Sequence, residues 1–151
     1  MSVIQSYRDL RVWQAGMDLA EAAYGVTKSW PKEEMFGMTS QVRRSEASVP
    51  ANIAEGFGRG SSGSFVQFLR TTQGSLKEFE THVLLAGRVG LLQQQDADLL
   101  LGRSDDLGKM LGSLIRKAAP SPTDRVKRSP YGVRPTTDDR RPTLLDEAKS
   151  Q

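Results

Sequence analysis

Cysteine is absent from this 151-residue chain, which excludes disulfides, thiolate metal sites and cysteine nucleophiles. Histidine occurs once, at His82, without the paired spacing of a metal-binding helix, so no metal is expected. No apolar run approaches membrane-spanning length, and Met1 to Tyr7 lack a signal-peptide core. A soluble cytoplasmic protein with no membrane partner is therefore expected. No segment alternates with period two over strand length, so a sheet is not expected. No nucleophile–histidine–acid set can be assembled, and no cofactor motif stands in its proper context. The chain reads as non-enzymatic.

Charge of one sign is also scarce. The net charge is +3, of which residues 1–118 carry +1 and residues 119–151 carry +2. A nucleic-acid role then depends on local clustering rather than on bulk charge.

What is present is helical spacing, four times over. The first helix is expected from about Asp9, its N-cap, to Ser29, before Trp30-Pro31 ends it. One stripe holds Leu10, Trp13, Met17, Ala20, Tyr24 and Thr27; a weaker one holds Val12, Leu19, Ala23, Val26 and Trp30. Two stripes need two partners, supplied either by an interior place in the bundle or by another subunit; a protein-interaction role would bury Val12, Leu19, Ala23 and Val26 between chains. The second helix is expected over Lys32 to Phe57, with Met35, Met38, Val42, Ser45, Val49, Ile53 and Phe57 as its seam. The third runs from Ser62 to Val89, closed by Gly90, and the fourth from Gln95 to Ala118. Short connections favour antiparallel neighbours, so the fold class is an all-α, antiparallel up-down four-helix bundle over residues 1–118. From 119 to 151 five prolines interrupt a mixed-charge segment poor in apolar residues, which reads as a disordered tail. Arg125, Lys127, Arg128 and Arg134 give that tail some reach toward polyanions.

The segment Arg43 to Arg59 concentrates the unusual residues. Pro50 stands inside a helical register, where it removes an N–H and crowds the carbonyl of Glu46. Ser48 or Asn52 is expected to serve the freed backbone groups. Asn52, Glu55 and Arg59 share a face and are expected to form a polar network fixing the bend. Gly58-Arg59-Gly60-Ser61-Ser62-Gly63 satisfies G-x-G-x-x-G, but it follows a helix rather than a strand, which argues against dinucleotide binding. A helix-to-helix turn with a serine cap fits better. Free N–H groups at that helix start, beside Arg59, offer at most a phosphate contact. Adjacent Arg43 and Arg44 point about 100° apart. With Arg59 and Arg70 they are the candidate nucleic-acid-binding residues, and Lys77, Arg88, Arg116 and Lys117 are candidates to extend that surface.

These strings also carry a resemblance. Ser6-Tyr7-Arg8-Asp9-Leu10-Arg11-Val12-Trp13-Gln14, the run Phe36 to Arg44, the run Ser48 to Arg59, and parts of Phe65 to Thr81 occur in one order. In that order they resemble the bacterial four-helix bundle proteins first noticed in intervening sequences of large-subunit ribosomal RNA genes. The resemblance implies a ring-forming homo-oligomer, a homopentamer. Its best-understood members are accessory variability determinants of diversity-generating retroelements, which bind a reverse transcriptase and RNA through a basic surface. The function it implies here is a homo-oligomeric adaptor for nucleic acid, RNA or DNA with RNA favoured, and for a reverse transcriptase. The alternative is a structural, protein-interaction bundle with no nucleic-acid role. Glu46 departs from the pattern, placing a carboxylate where small residues are usual and weakening the local positive charge.

Overall fold

The computed structural model describes residues 3–119. The expected tail from residue 120 onward lies outside the described residues. Four helices follow one another: α1 (Arg11–Thr27), α2 (Met38–Gly58), α3 (Ser62–Arg88) and α4 (Gln94–Ala118). Short 3-10 turns precede the first two, at Tyr7–Asp9 and Lys32–Glu34. The described residues contain no strand. Among them no helix is long and apolar enough to cross a membrane.

Each helix packs on the next, and α4 returns against α1. Thr27 meets Arg43, while Gly16 lies beside Val49 and Pro50, so α1 and α2 run in opposite directions. Glu80 meets Ser104 and Leu76 lies beside Gly108, which gives α3 and α4 the same relation. The core is a column of Leu19, Val49, Ile53, Leu69, Leu76, Phe79, Leu100, Leu107 and Leu111, all essentially without exposure. Burial of this apolar area is the main force holding the helices together.

Both stripes of α1 contribute to the core, and the weaker one contributes more of its middle. Val12, Leu19 and Ala23 are buried inside this chain, so they are not a surface kept for another subunit. Met17 and Tyr24 of the stronger-looking stripe are 44% and 45% exposed. Small Gly16 permits the close approach of α2. A Cβ on Gly16 would stand 3.4 Å from Val49 Cγ1 and 3.6 Å from Pro50 Cβ.

The helix starts also differ. Asp9 does not cap α1, whose N-cap is Leu10 with no side-chain bond. Instead Asp9 and Ser6 form a reciprocal capping box around the first 3-10 turn. Helix α2 begins at Met38 rather than Lys32, because Gly37 adopts φ −108 and ψ −117 just before it. The Glu34 carboxylate then accepts from Met38 N at 3.2 Å, satisfying one orphan donor. Met35, expected in the seam, is left outside the helix and exposed. At the other end of α2 the glycine-rich stretch is a turn: Gly60 takes φ +76, and Ser61 accepts from Ser64 N at 3.2 Å. Gly90, at φ +81, closes α3 as its position suggests.

Candidate nucleic-acid interface

The four arginines singled out in the sequence do not form one cluster. Arg43 and Arg59 stand sixteen residues apart on α2, about 24 Å along a helix rising about 1.5 Å per residue. Arg43 is committed inward: its Nε donates to Thr27 Oγ1 at 2.8 Å and its guanidinium lies 4.5 Å from the Tyr24 ring centroid. Arg59 pairs with Glu55 at 2.9 Å and lies 5.4 Å from the Phe68 ring centroid. Arg44 and Arg70 are exposed, and the ion pairs among the described residues use neither.

The polar network around Pro50 is smaller than expected. Glu55 and Arg59 do pair, but Asn52 turns away and donates to the Ser48 carbonyl at 2.8 Å. Ser48 in turn donates to the Ser45 carbonyl at 2.7 Å. These side chains thus serve the carbonyls of Ser45 and Ser48 rather than that of Glu46, the one Pro50 crowds. Helix α2 continues through Pro50 with the ring itself buried.

Glu46 corrects another expectation. It does not weaken a surface charge, because it is fully buried in the core. Neither carboxyl oxygen has a hydrogen-bond partner. Burial pushes its pKa up from 4.5 to about 9, since an ion without water or a partner is strongly disfavoured. At neutral pH the side chain is therefore a neutral acid and adds nothing to the electrostatics of the surface. His82 is half-buried at the edge of α3, with Nε2 3.5 Å from Glu78 Oε1.

A basic site does emerge between α3 and α4. A groove of about 510 Å³ is lined by Gln73, Lys77, Ser104, Lys109, Gly112 and Arg116, among others. Ser104, Gly108 and Gly112 recur every fourth residue along α4, so one strip of that helix presents almost no side chain. Lys77, Lys109 and Arg116 stand around this strip, and Asp105 is the one carboxylate in the lining. The Arg116 guanidinium folds back over Gly112, its Nη1 3.4 Å from where a Cβ would sit. Glu80 ties the two walls together: it accepts from Ser104 Oγ at 2.8 Å and from Lys77 Nζ at 3.0 Å. Lys109 pairs with Asp105 at 3.1 Å, both largely exposed. Exposed pairs of this kind exchange readily for a stronger anion.

Such a groove suits a chain of phosphates: cations along the rim, and a floor low enough for a backbone to approach. Sequence reasoning had named Lys77 and Arg116 as additions but missed Lys109 and Glu80. The available signal was the i, i+4, i+8 recurrence of Ser104, Gly108 and Gly112 on a helix carrying Lys109 and Arg116.

The model of the 23S rRNA-intervening sequence proteins matches residues 8–113. Among solved structures, a protein of unknown function of the S23 ribosomal protein family from Bacteroides thetaiotaomicron is similar. It is 24% identical, covers 70% of this chain and 95% of its own, and superimposes with a TM-score of 0.65. At that identity the likeness speaks for the fold alone. No curated protein matches the chain.

Proposed function

The chain belongs to the 23S rRNA-intervening sequence protein family, and from that premise we propose that it is a non-enzymatic, homo-oligomeric nucleic-acid adaptor. The nucleic acid, RNA in preference to DNA, lies with its phosphates in the groove between α3 and α4. The observation that carries this reading is the ring of Lys77, Lys109 and Arg116 around the bare strip of α4. Arg44 and Arg70, exposed and outside the ion pairs, add long-range attraction. A reverse transcriptase as the protein partner, and a pentameric ring, belong to the same proposal through the resemblance described above.

The test is fluorescence anisotropy with single-stranded RNA and DNA of one sequence across a salt series. Affinity falls with salt, and the Lys77→Ala, Lys109→Ala, Arg116→Ala triple variant flattens the logarithmic slope by about 2 for a single strand. Absence of binding by the wild type at low salt removes the nucleic-acid role.

A second reading, a protein-interaction bundle with no nucleic-acid role, is favoured by two observations. Arg43 is held in the corner between α1 and α2 by Thr27, and large apolar side chains including Phe36, Met17 and Leu84 are exposed. Assembly without any RNA or DNA affinity is the outcome that selects it.

A further inference from the structure

Phe36 is 95% exposed, the most exposed large apolar side chain of the described residues, and Met35 beside it is 53% exposed. The segment that carries them is tied down on both sides. Met35 N donates to the Lys32 carbonyl at 3.1 Å and Gly37 N to the Glu34 carbonyl at 2.9 Å, while the Glu34 side chain holds Met38 N. An aromatic ring fixed in water by a pre-ordered turn has little left to lose on binding.

At the other end of the bundle lies a groove of about 610 Å³ between the start of α1 and the end of α4. Ile4, Leu10, Met110 and Leu114 line it, with Arg11 and Lys117 as cations at its margin. Asp9 also belongs to the lining, but its carboxylate is taken up by the N–H groups of Gln5 and Ser6, each at 3.0 Å. The groove is thus lined by apolar side chains together with the cations Arg11 and Lys117, whereas the exposed Glu33 lies three residues before Phe36. Apolarity and charge complement one another.

We infer that Phe36 of one copy of this chain seats in the α1/α4 groove of a second copy. This rests on the homo-oligomer reading above and gives that assembly its contact. A chain cannot fill its own groove, because the whole of α1, 17 residues and about 25 Å long, separates the two features. Knob and groove are different patches, so each copy uses one toward each neighbour. The contact runs head to tail, the arrangement that builds rings when the rotation closes.

Sedimentation velocity on the full chain tests this. Phe36→Asp weakens self-association by about tenfold to a hundredfold, the equivalent of losing one buried aromatic contact. Leu114→Arg does the same from the groove side. The exposed pair Arg11→Glu, Lys117→Glu repeats that test without touching packed side chains. Circular dichroism verifies that each variant keeps its helices. Mixing Phe36→Asp with either groove variant restores one good contact per pair, because each retains the half the other lost. The expected product is a 1:1 heterodimer that grows no further. A mixture that stays monomeric, or a Phe36→Asp chain that assembles like the wild type, overturns the inference alone. A wild-type chain that is monomeric at high concentration removes the homo-oligomer reading as well.

Discussion

Arg43 reaches across from α2 to Thr27 at the end of α1, where its Nε meets Oγ1 at 2.8 Å. The Thr27 hydroxyl donates its own proton to the Ala23 carbonyl at 2.9 Å, which leaves its oxygen free to accept. The arginine thereby closes the corner between two helices, with Tyr24 against its guanidinium.

Arg43→Ala is accordingly expected to destabilise the fold by about 1–2 kcal/mol, the range for a charge-assisted bond at a part-buried site. Arg43→Lys does not restore it, since an ammonium has neither the Nε geometry nor the flat face. Arg44→Ala leaves stability unchanged. Urea denaturation of the three variants separates a structural arginine from an exposed one, and equal effects at 43 and 44 contradict the assignment.

Glu46 predicts an unusual dependence on pH. Its folded pKa is raised to about 9 from 4.5, so between those values the folded state binds the proton and the unfolded state does not. Stability is greatest below about pH 4.5 as far as this group is concerned. It declines as pH rises toward 9, by up to about 1.4 kcal/mol per unit. Glu46→Met, which keeps the length and discards both orphaned oxygens, is expected to flatten this slope and stabilise the protein at pH 8. Denaturation midpoints at pH 5, 7 and 9 check it, and parallel profiles for the two proteins would refute the assignment.

Gly56 is held to hydrogen at its side-chain position by Phe68. A Cβ there would stand 2.5 Å from Phe68 Cβ and 3.1 Å from Cγ. Neither atom is the free end of a flexible side chain, so α2 or α3 must shift. Gly56→Ala is expected to cost about 1–3 kcal/mol, although alanine is the better helix former. Gly58→Ala, with open space at that position, is the control. A thermal melt in which position 56 gains stability rules out the close approach.

Glu80 joins stability to binding with opposite signs. Its removal strands the fully buried Ser104 hydroxyl and frees Lys77. Glu80→Ala is expected to lose about 1–3 kcal/mol of stability while raising affinity for single-stranded RNA at low salt. A variant that loses both stability and affinity points away from the α3/α4 groove.

Much of the architecture was legible because it rests on local chemistry. Apolar residues three and four apart, Gly60 and Gly90 at turns, and a serine cap before α3 require no knowledge of neighbours. The start of α2 was misplaced because Met35 and Phe36 continue the apolar rhythm past Gly37, and periodicity does not register a backbone break. The candidate groove was half legible: Lys77 and Arg116 stood out as charges, but their meeting depends on which faces of α3 and α4 adjoin. The basic pair Arg43-Arg44 misled in the opposite way, since one of the two serves the helix corner.

The sequence by itself determined that the described chain is helical, that it has four long helices, and where most of them end. Those properties follow from hydrogen-bond geometry and from periodicity within each segment. Only the tertiary structure decided which residues of α1 are core, because Gly16 admits α2 closely while Met17 and Tyr24 face solvent. It alone placed Glu46 in the interior, where burial turns a formal charge into a neutral acid. It alone divided the arginines between internal contacts and solvent, a division set by distances between helices that no spacing along the chain contains.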